Sequence, residues 1–64
     1  MDLKKQRKFV GMTQHQLASA SGVDRWKITF AETDRIKLKV QELEAIKSVI
    51  QRRAKVIAAQ LAAE

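Results

Sequence analysis

Apolar positions recur along this chain at steps of three and four residues. The longest run is Leu43, Ile46, Ile50, Ala54, Ile57 and Leu61, one face of a helix that starts near Val40 and meets no stop signal. Leu3 and Val10 are core candidates of a first helix over residues 2–11, with Asp2 as its N-cap and Gly11 as its stop. Between these lie two short helices joined by a tight turn at Gly22. Thr13 followed by Gln16 reads as a capping box, in which each residue satisfies an orphan amide of the other. Leu17 and Ala18 face inward, and the small Ala20 and Ser21 allow close approach before the turn. Gly22 falls where a helix end needs a left-handed residue. Val23 fills the corner, and Asp24 caps the next helix over about 24–33. Ile28 and Ala31 point inward there, while Arg25, Trp26, Thr29, Phe30 and Thr33 form an outward face. Val40, Leu43, Ile46, Val49 and Ile50 close the bundle.

The predicted fold is therefore all-α, a four- or five-helix bundle containing a helix-turn-helix, with an extended C-terminal helix. Composition agrees: the 64 residues include no proline and only two glycines, and Ala, Leu, Lys, Gln and Glu favour helix over sheet. A chain this short buries only about 60% of its unfolded surface. One domain over residues 1–51 is predicted, with residues 52–64 as a helical extension. Absence of cysteine rules out a disulfide framework and a thiolate metal site. No apolar run is long enough for a signal peptide or a membrane span, which predicts a soluble, cytoplasmic protein.

Two short helices around a glycine turn are the arrangement that lays a recognition helix in the major groove of DNA. The spacing also matches a family. Gly11-Met12-Thr13-Gln14, Leu17-Ala18, Ser21-Gly22-Val23, Ile28-Thr29 and Glu32 resemble, without a gap, the Cro/CI-type (XRE-type) helix-turn-helix of phage repressors. Leu3, Arg7, Val40, Leu43, Ile46 and Ile50 continue the pattern, so the resemblance spans about residues 3–50. It implies that Arg7 and Glu32 form a partly buried structural ion pair. It also implies that Arg25, Trp26 and Phe30 reach base edges, with Gln14 and Thr33 at the DNA backbone. This chain departs from the family at Gln6, where an apolar residue is usual. Ala31 replaces a large apolar side chain and leaves space that Trp26 or Phe30 could fill by a small rotation. Asp34 replaces a helix-ending glycine and predicts a less well formed helix end.

Charge sharpens the reading. Thirteen Lys and Arg against seven acids give a net +6, a surface that attracts polyanions. Arg25 can grip guanine O6 and N7 in bidentate fashion, whereas Trp26 and Phe30 offer apolar contact, chiefly to thymine methyls. Lys27, Arg35, Lys37 and Lys39 are candidate phosphate contacts beside that helix. Lys4, Lys5 and Lys8 read equally well as a solvated basic face. His15, the one histidine, has no companion to build a metal site or a catalytic set. No enzyme activity, cofactor, metal or small-molecule ligand is expected.

The sequence thus predicts a regulator that binds a palindromic double-stranded DNA operator as a homodimer; that it represses, as a Cro-like protein, is what the resemblance implies. Ala54, Ile57, Ala58 and Leu61 would form the dimer interface, because a small bundle need not cover them. The alternative is an antitoxin or adaptor that binds a protein partner through residues 40–64. A surface-bound helix on anionic lipid, through Arg52, Arg53 and Lys55, ranks below both.

Overall fold

The computed structural model describes residues 2–63, which form four helices: α1 (Leu3–Phe9), α2 (Gln14–Ser21), α3 (Arg25–Glu32) and α4 (Val40–Ala63). No strand occurs among the described residues. α2 packs against both α3 and α4, and α1 packs against α3. The core at their junction is Leu3, Val10, Leu17, Val23, Ile28, Ile46 and Ile50. Leu17, Ile28 and Ile46 have no exposed surface, so each would cost about 2–5 kcal/mol to truncate to alanine.

Each short helix is fixed at its ends by local chemistry. Asp2 Oδ1 accepts from the Lys5 amide at 3.1 Å, capping α1. In the capping box of α2, the Gln16 amide donates to Thr13 Oγ1 at 3.0 Å and the Thr13 amide donates to Gln16 Oε1 at 2.9 Å. Asp24 differs from expectation. It holds the cap position of α3, yet its side chain makes no capping bond; its main-chain carbonyl accepts from Lys27 and Ile28 instead.

At their C-terminal ends the three short helices need a left-handed residue. Gly11 (φ 70°) and Gly22 (φ 75°) supply it for α1 and α2. Asp34 (φ 59°) supplies it for α3. The Asp34 amide donates to the Ala31 carbonyl at 3.2 Å and the Arg35 amide to the Phe30 carbonyl at 2.8 Å, the paired bonds of a Schellman ending. The helix end predicted to be poorly formed carries both of these bonds, because aspartate tolerates the left-handed region better than most side chains. Ser21 shapes the turn after α2: its hydroxyl donates to the Leu17 carbonyl and accepts from the Val23 amide. Ala20 takes no part in the close approach expected of it and is exposed.

α4 runs unbroken for 24 residues, so of the four- and five-helix alternatives the described residues form the four-helix one. Its length gives the molecule an extent of 41 Å against 19 Å in the other two directions. Ala54 and Ile57 pack onto the core, and beyond them the helix projects with Leu61 68% exposed. Val40 does not close the bundle and is 70% exposed. At 3.6 residues per turn it stands roughly 100° around the helix from the Ile46–Ile57 stripe. No described helix is long and apolar enough to cross a membrane.

Two substitutions test the helix ends. Asp34→Gly should stabilise the fold by about 0.5–1 kcal/mol, by relieving the left-handed strain and removing an acid from a helix C-terminus. Gly22→Ala should destabilise it by about 1–2 kcal/mol from the backbone alone, since an added Cβ would meet nothing within 4 Å. Urea unfolding curves measure both.

Candidate nucleic-acid interface

The outward face of α3 stands on a polar cluster that joins three helices. Arg7 of α1 donates through Nε to Glu32 Oε2 at 2.7 Å and through Nη2 to Glu32 Oε1 at 3.1 Å. Its Nη1 donates to the Met12 carbonyl at 2.8 Å. Gln14 of α2 donates through Nε2 to Glu32 Oε1 at 2.9 Å, and its Oε1 accepts from the Thr29 hydroxyl at 3.0 Å. The Arg7 and Glu32 side chains are 9% and 2% exposed. Burial by itself pushes the Glu32 carboxyl up, but the hydrogen bonds from Arg7 and Gln14, with the Arg7 charge, outweigh it and hold the group below its ordinary value. The hydrogen bond to Glu32 likewise raises Arg7. No buried side-chain nitrogen or oxygen among the described residues lacks a partner.

Above this cluster, α3 exposes Arg25, Trp26, Phe30 and Thr33. The indole and phenyl rings meet edge to face, with centroids 5.9 Å apart and planes at 70°. Trp26 is 54% and Phe30 37% exposed; neither enters the space beside Ala31. That space remains an open groove of about 440 Å³, bordered by Leu3, Ala31, Leu38 and Leu43. The Arg35 guanidinium lies over the Phe30 ring at 5.9 Å, which draws the basic loop against the aromatic pair. Lys37 and Lys39 are exposed in the same loop.

Three candidate contacts stand differently from expectation. Lys27 Nζ pairs with Glu42 Oε2 of α4 at 2.9 Å and lies 5.7 Å from the Trp26 centroid. Its hydrogen bond to Glu42 raises Lys27 and lowers Glu42. Lys27 therefore braces α3 against α4 rather than reaching outward. The Gln14 side chain is engaged within the polar cluster, leaving its second amide hydrogen and the start of α2 as donors. Thr33 is exposed, but its hydroxyl donates to the Thr29 and Phe30 carbonyls. Thr29, expected on the outer face, is half-buried beneath it.

Sequence reasoning missed the Gln14–Thr29 and Lys27–Glu42 links, both between residues distant in sequence. It also missed Phe9, which is 82% exposed on α1. Groups of His, Cys, Asp and Glu able to hold a metal are absent among the described residues. In comparisons with known proteins, no family model, curated protein or solved structure matches this chain.

The Arg7–Glu32 pair yields a prediction about acid stability. Because folding lowers the Glu32 carboxyl, its contribution is fully present above 4.5, its ordinary value, and is lost as pH falls through the lower folded value. Arg7→Ala or Glu32→Ala should each cost about 3–5 kcal/mol by stranding a buried charge. The double variant should lose less than the sum. Glu32→Gln should flatten the acid limb of the stability profile. Urea unfolding across a pH series measures all four.

Proposed function

We propose that this protein is a sequence-specific double-stranded DNA-binding regulator, with α3 in the major groove. The observation that carries the reading is the outward face of α3: a free arginine and an aromatic pair, bordered by exposed cations and seated on a buried polar cluster. An arginine at a helix start suits bidentate contact with guanine, and the aromatic edge suits thymine methyls. Arg35, Lys37 and Lys39 would follow the phosphates, giving affinity and register rather than sequence choice. Repression, in the manner of Cro-like proteins, follows from the resemblance.

The protein would act as a homodimer on a palindromic operator. The interface falls chiefly to Ala58 and Leu61, because Ala54 and Ile57 are half-covered by their own domain. Residues 56–63 carry no charge, so two such stretches can meet without repulsion between their own side chains. A two-fold pair would set its recognition helices about 34 Å apart, one turn of DNA.

Selection from a random double-stranded DNA library should return a palindrome. On that site Arg25→Ala should cost about 1–3 kcal/mol and relax preference at one base pair per half-site. Lys37→Ala should weaken all sequences about equally and flatten the salt dependence. Leu61→Asp, chosen because Leu61 lies outside the core, should leave a folded monomer with weaker operator binding. Selection without enrichment, or equal losses on every sequence for Arg25→Ala, would overturn specific recognition.

A further inference from the structure

The most exposed aromatic ring of the protein has no role in the face described above. Phe9, on α1, borders an open groove of about 350 Å³ between α1 and α4. Val10, Ile50 and Ala54 line it with Phe9, and Lys5 and Gln6 complete its edge. Val10 and Ile50 belong to the core cluster, so the groove exposes the margin of the core itself. An aromatic side chain left almost wholly in water beside such a margin gives up a large favourable burial term.

The charged residue in the groove's lining is a cation, Lys5. α1 carries Lys4, Lys5 and Lys8 exposed on its surface, and its single N-terminal acid, Asp2, is used as the cap. From Lys47 to Ala63, α4 holds four cations and no acid, and Glu44 is the last acid within that helix; none of the four cations lines the groove, whose α4 wall is apolar. A second copy would bring the lysines of α1 against a chain of the same net positive charge, +6. A phosphate backbone would satisfy the lysines but leave Phe9 and the apolar lining in water. An amphipathic helix with an apolar stripe and flanking carboxylates meets both requirements together.

We propose that the α1–α4 groove docks an acidic amphipathic helix of a partner protein, with Phe9 as the anchor. An apolar side chain of the partner packs on Phe9, Val10, Ile50 and Ala54. Its carboxylates pair with Lys5 and the lysines around it. The surface shares no residue with the outward face of α3, so the proposal stands or falls independently of DNA binding.

The probe is a designed helical peptide of roughly 15–20 residues, with leucines at helical spacing and glutamates on the flanks. Two controls accompany it: the same apolar stripe with lysines in place of the glutamates, and a scrambled acidic peptide of equal charge. Amide shifts on titration should map to Lys5, Phe9, Val10, Ile50 and Ala54. Phe9→Ala should weaken binding by about tenfold, with helix content and unfolding midpoint unchanged because the ring is exposed. Both control peptides should bind at least about tenfold more weakly. Equal binding of the scrambled peptide would reduce the effect to bulk charge attraction and overturn the proposal. So would shifts confined to residues 25–39, or an unchanged affinity in Phe9→Ala. Sedimentation without peptide supplies a further check: a dimer lost in Phe9→Ala would make a second copy the occupant. A DNA duplex producing the same groove shifts would make it a nucleic-acid surface; either result overturns the proposal.

Discussion

The orientation of α3 depends on one carboxylate. Glu32, at the last turn of that helix, accepts from Arg7 of α1 and from Gln14 of α2. A helix of eight residues has little stability of its own, and the core holds α3 chiefly through Ile28. Rotation about so small an apolar contact would be easy without a second constraint. Glu32 supplies it from one end, and the Lys27–Glu42 pair ties the other end to α4. These contacts fix the direction in which Arg25, Trp26 and Phe30 project. The ion pair thus governs the geometry of the outer face more than it governs net stability, since desolvation offsets much of a buried pair's attraction.

The same economy appears in the connections. In the short chain up to Asp34, three helix ends turn on left-handed residues. Such residues let a helix stop and the chain reverse within two or three positions, so four elements enclose a core of seven side chains. Gln14 shows how closely structure and surface are coupled. It starts α2, buttresses Glu32, and fixes the Thr29 hydroxyl on the underside of α3. A side chain so engaged orients the outer face from beneath.

Much of this was legible in the sequence because its signals are local. Thr13 with Gln16, Asp2 before Leu3 and Gly22 before Val23 each specify a helix boundary within a few residues, and the structure follows them. The core stripe of α4 was equally plain. What escaped were pairings set by the packing of separate helices: Lys27 with Glu42, and Gln14 with Thr29, each fifteen residues apart. No periodicity encodes those. Asp34 was misjudged for a different reason, since its substitution for glycine was weighed as a defect when a short polar side chain is the next best occupant of that conformation. Val40, expected to help close the bundle, stands in the first turn of α4 off the buried stripe and is exposed. The direction of Trp26 and Phe30, outward rather than into the gap beside Ala31, required the three-dimensional packing to settle.

α4 resolves an apparent conflict between two demands on one helix. Its apolar stripe continues past the core, which invites association, while the protein's charge opposes self-association. The sequence separates these along the helix axis. Lys47, Arg52, Arg53 and Lys55 fall within the stretch that borders α1, and residues 56–63 are uncharged. At 1.5 Å per residue, the uncharged segment occupies roughly the last 12 Å of the helix, and all of it past Ile57 lies beyond the core packing. Self-pairing at the tip, as proposed, would therefore bring no cation into the centre of an interface. Under the two proposals, one helix would present the uncharged stretch 56–63 to its own copy and the apolar wall of the Phe9 groove to an acidic helix, while the direction of α3 is still set by Glu32.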